Sequence, residues 1–411
     1  MNCKLVNIFY FLVIIMLSVS GADRINLLSN KFESFILTPY LLFSIIIIVF
    51  IVTFFYHDIN FNWIKSNKLS FQFFSIFIIT AFISVLLSDD IISSIKRIIL
   101  LLIIIINSIL VISCIKNNDL KKIIYNSSIL GSIIFLIFNF VIIFLWFKYN
   151  NLDFSSYINL KPNMISYFIP RLGGYTSDVN RGGVVLLFFT FYLYTYKRKS
   201  KYINFLILIN VISLILTMSR TVYLLSFITI FVYTLNDNVD KKRLIKYTFS
   251  GIFISILTLI YLDDIKIIEL DYLLKERLTI DYDLNRFSSS GIHLRLIYEG
   301  LTTALTNIKI LLFGNGFGTS FLLIHGYYWS GTKYANYHSL YITLLVEIGI
   351  LGTVSFIFYS FLIPIFKKMY STLFPLVIGL FFYNIFYQII VEPIYWFIIL
   401  LFYKENETLK N

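Results

Sequence analysis

Ile98-Ile99-Leu100-Leu101-Leu102-Ile103-Ile104-Ile105-Ile106-Asn107-Ser108-Ile109-Leu110-Val111-Ile112-Ser113-Cys114-Ile115 runs without a charge between Lys96-Arg97 and Lys116. At about 1.5 Å per helical residue, such a run matches the hydrocarbon thickness of a bilayer. It must be helical, because an isolated segment in lipid has to satisfy its own backbone groups. Leu41–Tyr56 is a second run of the same kind. Across the 411 residues, 58% are hydrophobic and only 14% charged. With a mean hydropathy of +0.83, these figures exclude a water-soluble globule.

Working outward, the apolar runs predict an all-α, polytopic integral membrane protein with about 12 transmembrane helices. They fall at about 5–21, 35–56, 71–87, 95–115, 123–147, 181–196, 202–217, 219–235, 245–262, 338–362, 371–389 and 391–403. Residues 1–411 read as a single membrane domain. Two pairs are tight hairpins, 202–217 with 219–235 and the last two, which turn near Glu392-Pro393. The first run also resembles a signal peptide, since Lys4 precedes it and Ser18-Val19-Ser20-Gly21-Ala22 is loosely cleavable. The charge count below favours a retained span.

With both termini cytoplasmic, every short inner loop is basic, as the positive-inside rule requires. The outer side carries two long loops, 148–180 and 263–337, the latter between spans 9 and 10. The net charge of +12 therefore has a topological reason. The anionic inner leaflet satisfies it, and no nucleic-acid partner is needed. Cys3 and Cys114 fall on different spans, which supports neither a disulfide nor a cysteine metal site.

The two basic residue types divide unequally. Of 18 inner cations, 16 are lysine, whereas the outer side carries eight lysines and eight arginines: Arg24, Arg97, Arg171, Arg181, Arg220, Arg277, Arg286 and Arg295. The guanidinium fork binds phosphate or carboxylate bidentately, so arginine on one face suggests an anionic ligand there. The alternative is pairing with Asp or Glu, the simpler reading for Arg24 and Arg277. Arg220 sits in the hairpin turn Leu216-Thr217-Met218-Ser219-Arg220-Thr221. Arg171 lies in Pro170-Arg171-Leu172-Gly173-Gly174-Tyr175, ahead of Asp178-Val179-Asn180-Arg181-Gly182-Gly183. Arg295 lies in Gly291-Ile292-His293-Leu294-Arg295-Leu296, on a helix running to about Asn307, with Glu299 one turn on as the alternative partner.

Between Arg286 and Gly352 the chain brings guanidiniums, glycines and an imidazole to one membrane edge. Phe313-Gly314-Asn315-Gly316-Phe317-Gly318 superficially resembles a nucleotide-binding loop but lacks the preceding strand and βαβ setting. It reads as a flexible connector returning the chain to the membrane. His338 opens the next span on the outer side, and a structural interfacial histidine is the alternative. Glu347 lies about two and a half turns deeper on the opposite helix face, where it reads as an interhelical anchor.

Taken in order, Thr217-Met218-Ser219-Arg220, Arg295, Phe313–Gly318 and His338-Ser339 with Glu347-Ile348-Gly349-Ile350-Leu351-Gly352 resemble the O-antigen polymerase/O-antigen ligase family. Arg171-Leu172-Gly173-Gly174 and Asp178-Val179-Asn180 are similar to that family's earlier outer-loop motif. The resemblance covers roughly residues 165–355, and the first five spans add only topology. Ser339 departs from the asparagine that usually follows the histidine.

The resemblance implies a metal-independent glycosyltransferase without a cofactor, in a bacterial inner membrane. It would act at the periplasmic face on oligosaccharides carried by undecaprenyl pyrophosphate. Such a donor is already activated, and arginines can stabilise the charge on the departing pyrophosphate. The expected roles are Arg220 and Arg295 on the pyrophosphate, Arg171 as a supporting anionic contact, and His338 as the base. Membrane lipids are the remaining partners, and the resemblance leaves a chain-length regulator open. A polymerase that joins repeat units is favoured by the divergent, Ile/Asn-rich chain, with a ligase to lipid A–core as the alternative. A flippase is a third reading, but the first half has no counterpart to the 263–337 loop or to Gly314–Gly318.

Overall fold

The computed structural model describes residues 3–28, 37–149, 163–165, 169–196, 200–235, 241–264, 289–324, 336–366 and 371–408. Arg277 and Arg286 lie outside them, as do much of the 148–180 and 263–337 loops. Each of the twelve apolar runs carries a helix. Four are long and apolar enough to cross a membrane: Lys68–Leu86, Ile91–Cys114, Asn117–Leu145 and Leu340–Phe366. Lys4–Ser18, Lys201–Leu216, Arg220–Thr234, Leu244–Leu257 and Phe374–Phe386 are shorter apolar helices. Among the described residues, Asn163–Ile165 and Ile169–Arg171 form a pair of three-residue antiparallel strands.

The helix ends follow from local chemistry. Thr38 caps Pro39–Phe54 by accepting the Leu41 amide, with Pro39 preset for the first helical position. Asp178 caps Val179–Thr195 through the Asn180 and Arg181 amides, and Ser219 caps Arg220–Thr234 through that of Val222. Each side chain satisfies amide groups that the helix leaves unpaired.

The chain divides into two compact units. One comprises Met1–Ile59, Asn107–Thr279 and Glu392–Ile394; the other comprises Asn60–Ile106, Ile280–Val391 and Tyr395–Asn411.

In the first unit the Val179–Thr195 helix is buried nearly all round, from Val179 and Gly182 through to Leu193. It packs against Asn117–Tyr149, Lys201–Leu216 and Arg220–Thr234, while Cys3–Ser18 packs against Pro39–Phe54 and Asn117–Tyr149. Between apolar helices the added attraction comes from polar pairs. Asn210 Nδ2 donates to Ser132 Oγ at 2.8 Å, and Asn107 Nδ2 donates to Ser44 Oγ at 3.2 Å. At one end the loops predicted to lie outside meet each other: Tyr175 donates to Ser18 O, and the Leu172 amide to Leu216 O. At the other end Tyr192 OH reaches Lys121 O, joining two loops predicted to lie inside.

In the second unit Leu340–Ile357 is the hub, packed against Lys68–Leu86, Ser289–Thr306, Ile308–Phe313 and Phe374–Phe386. The same sorting of ends appears. Asn67 Nδ2 donates to Tyr403 O and Ser371 Oγ to Glu405, both among inner segments. Lys309 Nζ reaches Leu87 O and Ser94 Oγ reaches Phe317 O, both among outer ones.

Candidate functional site

The second unit holds His338, Arg295 and the glycine run. Phe313–Gly318 is not a flexible connector. Gly314, Asn315, Gly316 and Phe317 are buried, and the loop is pressed into a break in the Leu340–Ile357 helix. The break is Gly349, at φ 75° and ψ −179°. There the carbonyls of Val346 and Glu347 accept from the amides of Asn315 (2.9 Å) and Gly316 (3.1 Å). A Cβ on Gly314 would strike the Glu347 carbonyl, and one on Gly349 would strike the Leu312 carbonyl. The glycines thus remove side chains so that two backbones can touch, a requirement of position that composition reads only as flexibility.

Glu347 does anchor neighbouring elements. Its carboxylate accepts the Ser320 amide at 3.3 Å while its carbonyl holds Gly316. The carboxylate is 2% exposed and lines a small cavity that also borders Arg97, Asn336 and Gln388.

His338 takes a left-handed backbone conformation, φ 51°, fixed by its amide donating to Asn336 Oδ1 at 2.8 Å. Such a conformation in a non-glycine residue is costly and clusters at functional sites. The imidazole stacks on His293 with centroids 4.1 Å apart, and the Tyr387 ring stands edgewise at 6.0 Å. Burial pushes the His338 pKa down to about 4, so the ring is neutral at pH 7 and has a lone pair for a proton. Arg295 is exposed on the same Ser289–Thr306 helix as His293, two residues on. The ion pairs of Arg181 with Asp23 and Glu392 do not involve Arg295.

His293 was visible in the sequence beside Arg295 but carries no signal of its own. A stacked pair separated by 45 positions exists only once the helix is docked.

The first unit holds Arg171 and Arg220. Arg171 Nε donates to Thr217 O at 3.0 Å and its Nη2 to Met218 O at 3.3 Å. The fork therefore grips the turn that leads into Arg220. Met218, between those carbonyls and the cap Ser219, is left-handed at φ 48°. Asn180 Oδ1 accepts from Ser219 Oγ and from Thr221 Oγ1, tying the turn to the Val179–Thr195 helix. Arg220 is half-buried at the first position of its helix.

A second arginine cluster in this unit had no assigned role in the sequence reading. Arg181 Nη1 pairs with Asp23 at 2.8 Å and its Nε with Glu392, which is 2% exposed. Burial holds the Glu392 carboxyl above its usual range, with Arg181 opposing the rise. Asp23 also accepts from the Ser177 amide and hydroxyl. Arg24, expected to pair with an acid, lies within the attraction of Asp23 and Asp178 and donates Nε to Gly174 O at 3.0 Å. Among the described residues no three His, Cys, Asp or Glu side chains group as metal ligands would. No protein-family model matches this chain, and no curated protein matches it.

Proposed function

We propose that this chain is an O-antigen polymerase of the bacterial inner membrane, with about twelve spans, cytoplasmic termini and its chemistry at the periplasmic face. The reading is carried by one observation. The non-glycine residues with positive φ among the described residues are Met218 and His338, and each lies in one of the motifs that carry the family resemblance. Strained backbone persists where the surroundings enforce it, and it marks sites where a side chain must be held in place. The topology draws support from the ends of the helices, where outer-loop residues touch outer-loop residues and inner touch inner within each unit.

In the proposed reaction neutral His338 takes the proton of a sugar hydroxyl on the lipid-linked acceptor. The hydroxyl oxygen bonds to the anomeric carbon of the donor glycan as that carbon's bond to pyrophosphate breaks. Arg295, on the helix whose His293 stacks on His338, stabilises the charge on the departing undecaprenyl pyrophosphate. Arg171 holds the turn before Arg220.

The Gly349 break favours a second reading. It lies about 14 Å along its helix from Leu340, near mid-membrane depth, and discontinuous helices there are typical of transporters. Purified protein in vesicles separates the two: a polymerase lengthens lipid-linked glycan, whereas a flippase only moves it. In cells, His338→Ala should leave lipopolysaccharide with core and a single repeat unit at unchanged protein level. Bare core with accumulated lipid-linked polymer would make the protein a ligase instead. Polymer of normal length would remove His338 from the mechanism.

A further inference from the structure

The cavity beside Glu347 has a volume of ≈ 40 Å³ and is bordered by Arg97, Asn336, Glu347 and Gln388, with Phe317 and Phe321 as its aromatic walls. Its polar groups carry both charges and both hydrogen-bonding senses: guanidinium donates, carboxylate accepts, and the amides do both. An anion entering here meets Glu347, and a cation meets Arg97. A neutral ligand bearing hydroxyls meets only partners. Glu347 also presents Oε2 as a buried acceptor without a hydrogen-bond partner among the described residues. Leaving such an oxygen unpaired is expensive, and a ligand hydroxyl would satisfy it. One water-sized group needs about 10–15 Å³ of such space, so the cavity takes two or three of them, which suits one exocyclic arm rather than a whole sugar ring.

Two of the residues that border the cavity lead to His338. Asn336 fixes the His338 amide at 2.8 Å, while Gln388 follows Tyr387, whose ring stands 6.0 Å from that of His338. We propose that this cavity is a sugar subsite that seats one hydroxylated arm of the acceptor and so sets which ring hydroxyl faces His338. The role as acceptor rests on the polymerase reading; the recognition of a neutral sugar does not.

The test uses the full chain in lipid nanodiscs, free of sugar detergents, with methyl β-glucopyranoside and methyl β-xylopyranoside as probes. The two differ only by the hydroxymethyl arm. Saturation-transfer NMR should show the glucoside at least threefold more strongly saturated than the xyloside, and Gln388→Leu should abolish the difference. Equal saturation of both probes by the native chain, or a difference that survives Gln388→Leu, overturns the subsite. If Gln388→Leu does not reach the membrane, Phe321→Ala enlarges the cavity and should erase the same discrimination. In glycan extension, Gln388→Leu should raise the acceptor KM at least fivefold with kcat within twofold. An unchanged KM in an active enzyme sinks the subsite. Sugar discrimination in a chain that transfers no glycan sinks the polymerase reading and leaves the subsite standing.

Discussion

His293 covers one face of His338, ring centroid to ring centroid 4.1 Å, and shields the imidazole from water. Shielding is what lowers the His338 pKa, because burial penalises the charged ring. With His338 as the base of the proposed polymerase, the acid limb of kcat/KM should lie well below 6.5, near the depressed value of about 4. His293→Ala admits water, raises the His338 pKa and moves that limb up towards 6.5, cutting activity at pH 5.5 several-fold while sparing pH 8. His293→Phe keeps the stack and should keep the native profile. Rate profiles of both variants from pH 4.5 to 8.5 check this, and identical limbs in native and Ala enzymes would remove His293 from any positioning role.

The same shift links folding to pH. The unfolded chain's His338 binds a proton near 6.5 and the folded chain's near 4, so between these values the unfolded state holds more protons. Its contribution to stability is therefore complete above pH 6.5, declines as pH falls towards 4, and declines no further below. His338→Gln should flatten this part of the stability curve. Thermal unfolding in nanodiscs at pH 7.5, 6, 5 and 4 measures it, and parallel curves for native and Gln proteins would contradict the burial of this ring.

Gly314 and Gly349 face each other's segments, and both hold backbone angles open almost only to glycine, φ 79° with ψ 179° and φ 75° with ψ −179°. Alanine at either position should cost on the order of 1–3 kcal/mol from strain alone, before any collision. Because both substitutions break one contact, the double variant should lose less than the sum of the singles. Unfolding temperatures of the three variants test the contact, and additive losses would mean that the segments do not share it.

What the sequence made legible was whatever depends on local solvent preference. The Ile98–Ile115 run needs no tertiary information to become a helix, and all twelve runs coincide with helices. Glu347 also read correctly as an anchor, since a carboxylate deep in an apolar run must be held. The glycine run misled because glycine is used both for freedom and for close approach, and only the partner segment distinguishes them. Arg171 looked like a ligand-binding residue because a guanidinium has the same donors for phosphate and for carbonyl oxygens. The carbonyls of Thr217 and Met218 lie 46 and 47 residues away in the chain. Still longer separations in sequence hid the junction of Asp23, Arg181 and Glu392.

Arg171 sends two nitrogens to adjacent carbonyls, which lysine cannot imitate with one ammonium. If the chain is the polymerase proposed above, Arg171→Lys should slow polymerisation about tenfold, equivalent to ~1.4 kcal/mol of barrier, at normal membrane levels. Met218→Gly relieves the left-handed strain that the fork holds in place, so adding it should restore part of the rate. Rescue identifies a positioning role. Failure of rescue together with weakened binding of lipid-linked donor would instead place Arg171 on the substrate.

Arg181 joins Asp23 and the buried Glu392, and removing its charge leaves the two carboxylates without the cation between them. Breaking a buried pair from one side costs about 3 kcal/mol or more, whereas neutralising both sides is far milder. Arg181→Met alone should therefore lower the unfolding temperature strongly. Combining it with Glu392→Gln should recover much of the loss, because the amide needs no countercharge. Burial already holds the Glu392 carboxyl above its usual range, so a neutral side chain there is well tolerated. The damage from Arg181→Met should also shrink as pH is lowered and Glu392 protonates. Thermal unfolding of the two single variants and the double variant at pH 7.5 and pH 5 measures the coupling. Equal destabilisation by Arg181→Met with and without Glu392→Gln would show that the two side chains do not depend on each other.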